Sequence, residues 1–228
     1  MNRAKLKITI QGLTSGRWNR GVGLIIILYT ESEGGMMFKI KRLAAVIIVI
    51  LFLASCAGTN FVRPEPESLS LGKTTYQDII NQFGKPYQEG TKLKNENMIK
   101  TATYAYSSAG GMALYEGVTP ARAMAFHFVD DLLIGYEFSS SYKEDHSDYD
   151  DSKISLIKKG ETTRGEVVDL LGEPKGIYVF PLIKNREDEA MVYLYSQFKS
   201  FKIYQKLLIV SVNNDIVTDV DFTTSGKK

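Results

Sequence analysis

The sequence predicts an α+β protein: two repeats, each a short helical segment packed on an antiparallel sheet of about three strands. Three observations point there. A motif of 15 residues, Gly72 to Pro86, recurs as Gly160 to Pro174, each matched residue 88 positions on. Each copy spells a capped helix of little more than two turns. Each is followed by a tyrosine-rich alternating strand and then a hairpin. A fixed register that matches glycine, threonine and proline together is the mark of an internal duplication.

The helices come first. Thr75 and Thr163 can accept an orphan backbone N–H as N-caps, with Asp78 and Glu166 three residues on; Glu166 completes a capping box and Asp78 is its shorter equivalent. Ile79, Ile80 and Phe83, and in the second copy Val167, Val168 and Leu171, fall on one helical face. Gly84 and Gly172 suit a left-handed C-terminal residue, and Pro86 and Pro174 prevent the helix from resuming. Helices this short do not persist alone, so each must pack on something.

That something reads as sheet. Thr103–Tyr106 and Val192–Tyr195 alternate, and each precedes a hairpin, Met124–Phe138 with Asp130-Asp131 at its turn and Leu208–Phe222 with Asn213-Asn214-Asp215. Val210, Val212, Val220 and Phe222 alternate with polar residues, which predicts one buried and one wet face. The spacing predicts that the first copy is longer by five residues, placed between Tyr106 and Phe126, most plainly in 107–120 around Gly110-Gly111.

The repeats are expected to span 69–138 and 154–224. Between them, 139–153 carries Glu144, Asp145, Asp148, Asp150 and Asp151 and reads as a solvated acidic linker; 56–68, with Pro64 and Pro66, reads as an extended tether. Upstream lies a leader. Lys39, Lys41 and Arg42 precede an apolar run, Leu43 to Leu53, well short of a membrane span, and the run closes on Leu53-Ala54-Ser55-Cys56. This ending resembles the lipobox of bacterial lipoproteins, which implies cleavage before Cys56 and acylation of Cys56 as a membrane anchor. Residues 36–55 are then the signal peptide, and 1–35 an upstream extension outside the mature protein. From Cys56 onward the chain has 20 basic and 24 acidic residues, a net charge of −4, which argues against a nucleic-acid partner. Ala57 after the cysteine, rather than aspartate, favours the outer membrane, facing the periplasm.

The pattern Gly-x-Thr-Thr-x-x-(Asp/Glu) through Leu-Gly-x-Pro, met twice and followed by strands, resembles the SmpA/OmlA (BamE-like) family of small outer-membrane lipoproteins, here in tandem. The β-lactamase-inhibitor proteins share a related tandem fold. The resemblance implies helices packed on antiparallel sheets and a role in outer-membrane assembly. Its matched residues cap and pack, so they carry fold rather than function.

Chemistry is sparse. His127, between Phe126 and Phe128, is expected to face solvent opposite the core; His146 sits in the acidic linker, where no EF-hand spacing occurs. Gly110-Gly111 belongs to no phosphate loop. No catalytic residue, metal or cofactor is expected. Tyr104, Tyr106, Tyr193 and Tyr195 recur at i, i+2 spacing, so each pair shares a face. If the helices cover the Ala105 and Val192/Leu194 side, the tyrosines line an open protein-binding face; otherwise they are core. The expected function is non-enzymatic: a lipid-anchored envelope protein that binds another protein, in outer-membrane assembly or maintenance. An inhibitor of a secreted enzyme is the alternative within that class, and an envelope hydrolase or small-ligand carrier the alternative outside it.

Overall fold

The computed structural model describes residues 58, 60–108 and 110–226. Residues 1–35, the leader 36–55 and Cys56 lie outside them. The elements run α1 (Tyr76–Phe83), β1 (Gln88–Lys94), β2 (Asn97–Ser107), β3 (Val118–Thr119), β4 (Ala121–Val129) and β5 (Leu132–Ser140). They continue with α2 (Arg164–Leu171), β6 (Gly176–Val179), β7 (Glu189–Lys199), β8 (Lys202–Asn213) and β9 (Ile216–Gly226). The fold is α+β, mainly antiparallel sheet with few short helices.

Both helices begin as their sequences dictate. Thr75 accepts from the Asp78 N–H while the Asp78 carboxylate accepts from the Thr75 N–H, and Thr163 with Glu166 repeats the arrangement. At the far ends Gly84 (φ 74°, ψ −159°) and Gly172 (φ 80°, ψ −178°) occupy backbone conformations essentially closed to other residues. Backbone bonds then pin each helix to its hairpin. Tyr76 donates to Asp131 O and Arg164 to Asp215 O, each at 2.9 Å; Gly72 donates to Leu133 O and Gly160 to Val217 O, each at 2.8 Å.

The nine strands among the described residues form one sheet in the order β1-β2-β4-β5-β6-β7-β8-β9, with β3 paired to β7. Two expectations are corrected here. Each half contributes four strands to this path rather than about three, because β1 and β6 add to the predicted set. The halves also share a single sheet instead of forming separate lobes, because β5 pairs with β6 through Gly135–Tyr178, Tyr136–Ile177 and Glu137–Gly176. Glycine makes that junction possible: a Cβ on Gly176 would stand 2.4 Å from Tyr136 O.

Helices cover one face of the sheet. Ile79 of α1 packs in a cluster with Tyr104, Met124, Phe126, Phe128 and Phe138 of the sheet; Val167 of α2 does so with Met191, Tyr193, Tyr195, Leu208 and Val210. Fully burying one such aliphatic side chain stabilises the fold by about 1.5–3 kcal/mol, far more than the helices' intrinsic propensity could supply. On the opposite face a third cluster joins Ile99, Tyr178, Leu182, Ile183, Ala190 and Val192. Leu182 and Ile183 belong to the β6–β7 connection, which folds back over the sheet. Asn95 in the β1–β2 turn meets it there, donating to Pro181 O and Ile183 O at 3.0 Å.

The connection from β2 to β4 is longer than that from β7 to β8. Twenty residues separate Tyr104 from its register partner Met124, against fifteen between Tyr193 and Leu208. The surplus builds the β3 segment, which lies back along β7 as Val118↔Lys199 and Thr119↔Phe198.

The acidic segment 139–153 is not a solvated linker. Ser139–Tyr142, Ser147 and Tyr149 are buried, and the segment crosses from one half to the other as a strap. Arg122 on β4 holds its first part, 2.9 Å from Asp145 and 3.4 Å from Glu144, with its guanidinium over the Tyr142 ring at 4.5 Å. Lys206 on β8 holds the second, 2.8 Å from Asp148 and 3.0 Å from Asp151, with Nζ 4.3 Å from the Tyr149 ring centroid. Burial works against the Lys206 charge, but the hydrogen bonds and charges of Asp148 and Asp151 outweigh it and raise its pKa.

Candidate functional site

The tyrosines settle which face is available. Tyr104, Tyr193 and Tyr195 are 4%, 2% and 0% exposed and stand beneath the helices. Tyr104 donates to Gly84 O at 2.8 Å and Tyr193 to Gly172 O at 2.9 Å, so each ring fills the core while its hydroxyl ties the end of a helix. Burial pushes the Tyr104 hydroxyl up to about 12 and raises Tyr193 and Tyr195 as well. The open tyrosine face is therefore corrected for these three residues. Period-2 alternation puts them on one side, and the amphipathic helices pack on that side because it carries the large apolar groups. Tyr106 alone is half-buried, stacked on Tyr142 with ring centroids 6.3 Å apart.

Ala105 and Leu194 thus face away from the helices. On that side the connection through Leu182 and Ile183 covers the part near the start of β2, and the part near its end stays open. Across the open part runs a row of small residues. Ala105 is in register with Ala123, and Ala123 with Ser139; the Ser196 N–H donates to Ser139 Oγ at 2.9 Å. Gly58 extends the row beyond the edge of β2, bridging to Tyr106. Its φ is +67° and a Cβ would sit 2.1 Å from Ala105 O, so glycine alone fits. The row leaves a trough of about 290 Å³, with Tyr87, Tyr106 and Arg122 along its sides. Tyr87 is 68% exposed. Small side chains let another chain approach the backbone, and the aromatic groups supply contact area at little entropic cost.

His127 is corrected too. It lies opposite the helices, as the alternation predicts, but Tyr178 of β6 packs against it and it is 4% exposed. Its Nδ1 is 2.8 Å from Thr101 Oγ1 and its Nε2 is 2.7 Å from Glu137 Oε2, with the Tyr178 ring edge-on at 5.6 Å. A hydroxyl, an imidazole and a carboxylate in that order form a polar chain across β2, β4 and β5. Packed beneath Tyr178, it links three strands of the first half. Among the described residues no group of three or more His, Cys, Asp or Glu side chains could hold a metal ion.

Sequence reasoning missed the trough, and its signal was available: Ala105, Ala121 and Ala123 interrupt strands otherwise rich in large residues. It placed Cys56 as the lipidation residue, and Cys56 lies outside the described residues. No described helix is long and apolar enough to cross a membrane.

No protein-family model matches the chain, and no curated protein matches it. Among solved structures it is similar to a candidate beta-lactamase inhibitor protein from Streptococcus mutans, with 13% identity, a TM-score of 0.37, and coverage of 69% of this chain and 91% of that one.

Proposed function

We propose that this is a non-enzymatic, lipid-anchored envelope protein that binds another protein through the open part of the sheet, in outer-membrane assembly or maintenance. Its halves are tandem copies of one helix-plus-four-strand unit. The paired capping boxes, the paired helix-to-hairpin bonds and the paired tyrosine hydroxyls support that reading. The anchor rests on Leu53-Ala54-Ser55-Cys56, and the periplasmic side of the outer membrane on Ala57. The observation that carries the binding role is the trough from Gly58 to Ser196, where five successive positions present only small groups. A partner's extended segment or flat edge can lie across it between Tyr87 and Arg122. An inhibitor of a secreted enzyme would use the same surface, with the enzyme as the captured partner.

The test is affinity capture from bacterial membranes with the acylated chain, comparing wild type with Ala123→Leu. The larger side chain fills the trough from its floor. The expected result is a partner present with wild type and lost with Ala123→Leu, at an unchanged melting temperature. A partner retained in full by the folded variant would remove the trough from consideration. In parallel, Cys56→Ala should leave the protein uncut or soluble; a cleaved alanine variant still held in the membrane fraction would end the anchoring claim.

A further inference from the structure

We infer that the tip of the β7–β8 hairpin is a membrane-interface finger. Phe201 seats at the headgroup level of an anionic lipid surface, and Lys199 and Lys202 pair with the lipid phosphates. The inference rests on the lipid-anchored reading of Cys56 and adds the surface that meets the bilayer.

The tip breaks a rule that the other turns keep. Four two-residue turns place both residues at positive φ: Asn95-Glu96, Asp130-Asp131, Ser200-Phe201 and Asn214-Asp215. Three are wholly polar, as the conformation favours. The fourth holds a phenylalanine at φ 62°, where a bulky side chain is unfavourable, and leaves it 94% exposed. Inside the molecule Phe201 meets the Phe198 ring edge-on at 6.3 Å, and Phe198 is itself 39% exposed. Ile203 beside them is 65% exposed. Folding gains nothing from placing this group there, so the requirement lies outside the fold.

The surrounding chemistry names the occupant. Lys199 and Lys202 flank Phe201, and no acidic residue occurs from Gln197 to Gln205. An exposed aromatic between lysines suits the boundary between acyl chains and anionic headgroups, where the ring enters and the cations stay at the phosphates.

Position gives a second, independent reason. Neighbouring strands are antiparallel throughout, so β2 and β7, four steps apart, run the same way and end at the same end of the sheet. Gly58 bridges to Tyr106 at that end of β2. Gly58 is two residue steps from Cys56 along the chain, a reach of about 7 Å at most. The connection leaving β2 at this end also carries Met112, 70% exposed. A chain held by acyl groups on Cys56 would therefore present the Phe201 tip to the same bilayer, displaced sideways by about 20 Å at ~4.8 Å per strand.

The experiment places a reporter at the tip: Phe201→Trp in a Trp18→Phe background of the full chain, expressed in bacteria, purified and reconstituted with vesicles of phosphatidylcholine and phosphatidylglycerol carrying brominated tails. Flotation reports binding, tryptophan emission reports depth, and the mass of the Cys56 peptide reports acylation. The expected result is a floating chain whose emission shifts to the blue, is quenched by the brominated lipid and is shielded from aqueous iodide. A floating, acylated chain whose tryptophan stays open to iodide and unquenched by lipid overturns the inference, leaves the anchor intact and points to a protein as the occupant of the tip. Quenching without acyl mass on Cys56 supports the finger and removes the anchor. A chain that does not float overturns both.

Discussion

The two halves of the sheet solve one problem in two electrostatic regimes. Arg122 stands opposite Tyr106 and Lys206 opposite Tyr195, so the two cations hold matching register positions, and each grips one part of the strap. Yet Arg122 works near water: its side chain is 15% exposed, and its partners Glu144 and Asp145 are 60% and 30% exposed. Lys206 is 3% exposed and Asp148 10%. The first grip is screened and forgiving, whereas the second stands only while both partners are present. Matching geometry therefore does not imply matching energetics; desolvation decides.

The largest effect expected from this contrast lies in the tyrosines beside the cations. Replacing Tyr193 and Tyr195 together with serine removes two buried rings, at about 3–5 kcal/mol each, and should unfold the second half. The equivalent pair, Tyr104 and Tyr106, should cost less because Tyr106 is only half-buried. Urea denaturation of the two double variants measures the difference, and equal losses would break the comparison.

Next come the cations. Lys206→Met takes the cation from the Asp148 carboxylate, which keeps only hydrogen bonds from the Tyr115 hydroxyl and the Tyr149 N–H, and should destabilise by about 3 kcal/mol, where Arg122→Met should cost about 1 kcal/mol or less. The pH dependence sharpens this. The folded-state pKa of Lys206 is raised, so its contribution is complete below the unfolded value of ~10.4 and is lost as pH rises through the higher folded value. The gap between wild type and Lys206→Met should thus be constant at neutral pH and close in strong alkali. A gap that stays open in strong alkali would contradict the assignment.

The smallest effects test where the halves agree. Thr75→Ala and Thr163→Ala each remove a capping oxygen and should each cost about 1 kcal/mol. Hydrogen bonds from the Thr75 side chain and backbone hold Asp78 below the usual carboxylate range, and those from the Thr163 backbone and side chain do so for Glu166. Their contribution is present above the ordinary carboxyl values near ~4 and is lost as pH falls through the lowered ones. Melting curves should show the two alanine variants converging on wild type in acid to the same degree.

What could be read from the residues follows the range of the interactions. The capped helices were legible because Thr75 with Asp78, and Thr163 with Glu166, are three residues apart and their rule is local. The hairpins were legible because alternation is local too. β1 escaped notice because all seven of its residues are exposed and it has no apolar stripe, and β6 because four residues are too few to show a period. Alternation put Tyr193 and Tyr195 on one side but could not say which side the helix would choose. The acids of 139–153 read as solvated because Arg122 lies more than twenty residues before Glu144, and Lys206 more than fifty after Asp151. His127 was placed opposite the helix layer, but its cover comes from Tyr178 on β6, some fifty residues on. For the site, the tyrosines misdirected and the small residues passed unremarked, because a trough is defined by what its strands lack.

The short ladder between β5 and β6 also limits how the molecule can be cut. Three register pairs join β5 to β6, one of them at Gly176, and β3 adds only two more with β7. A chain that has completed its first half but not β6 carries β5 as a bare edge, with backbone donors and acceptors free to pair with any strand that arrives, including β5 of another copy. Severing the protein within the strap would accordingly yield two adhesive fragments rather than two independent domains. A single bond-for-bond exchange of β6 between neighbouring chains would convert the same seam into a swapped dimer.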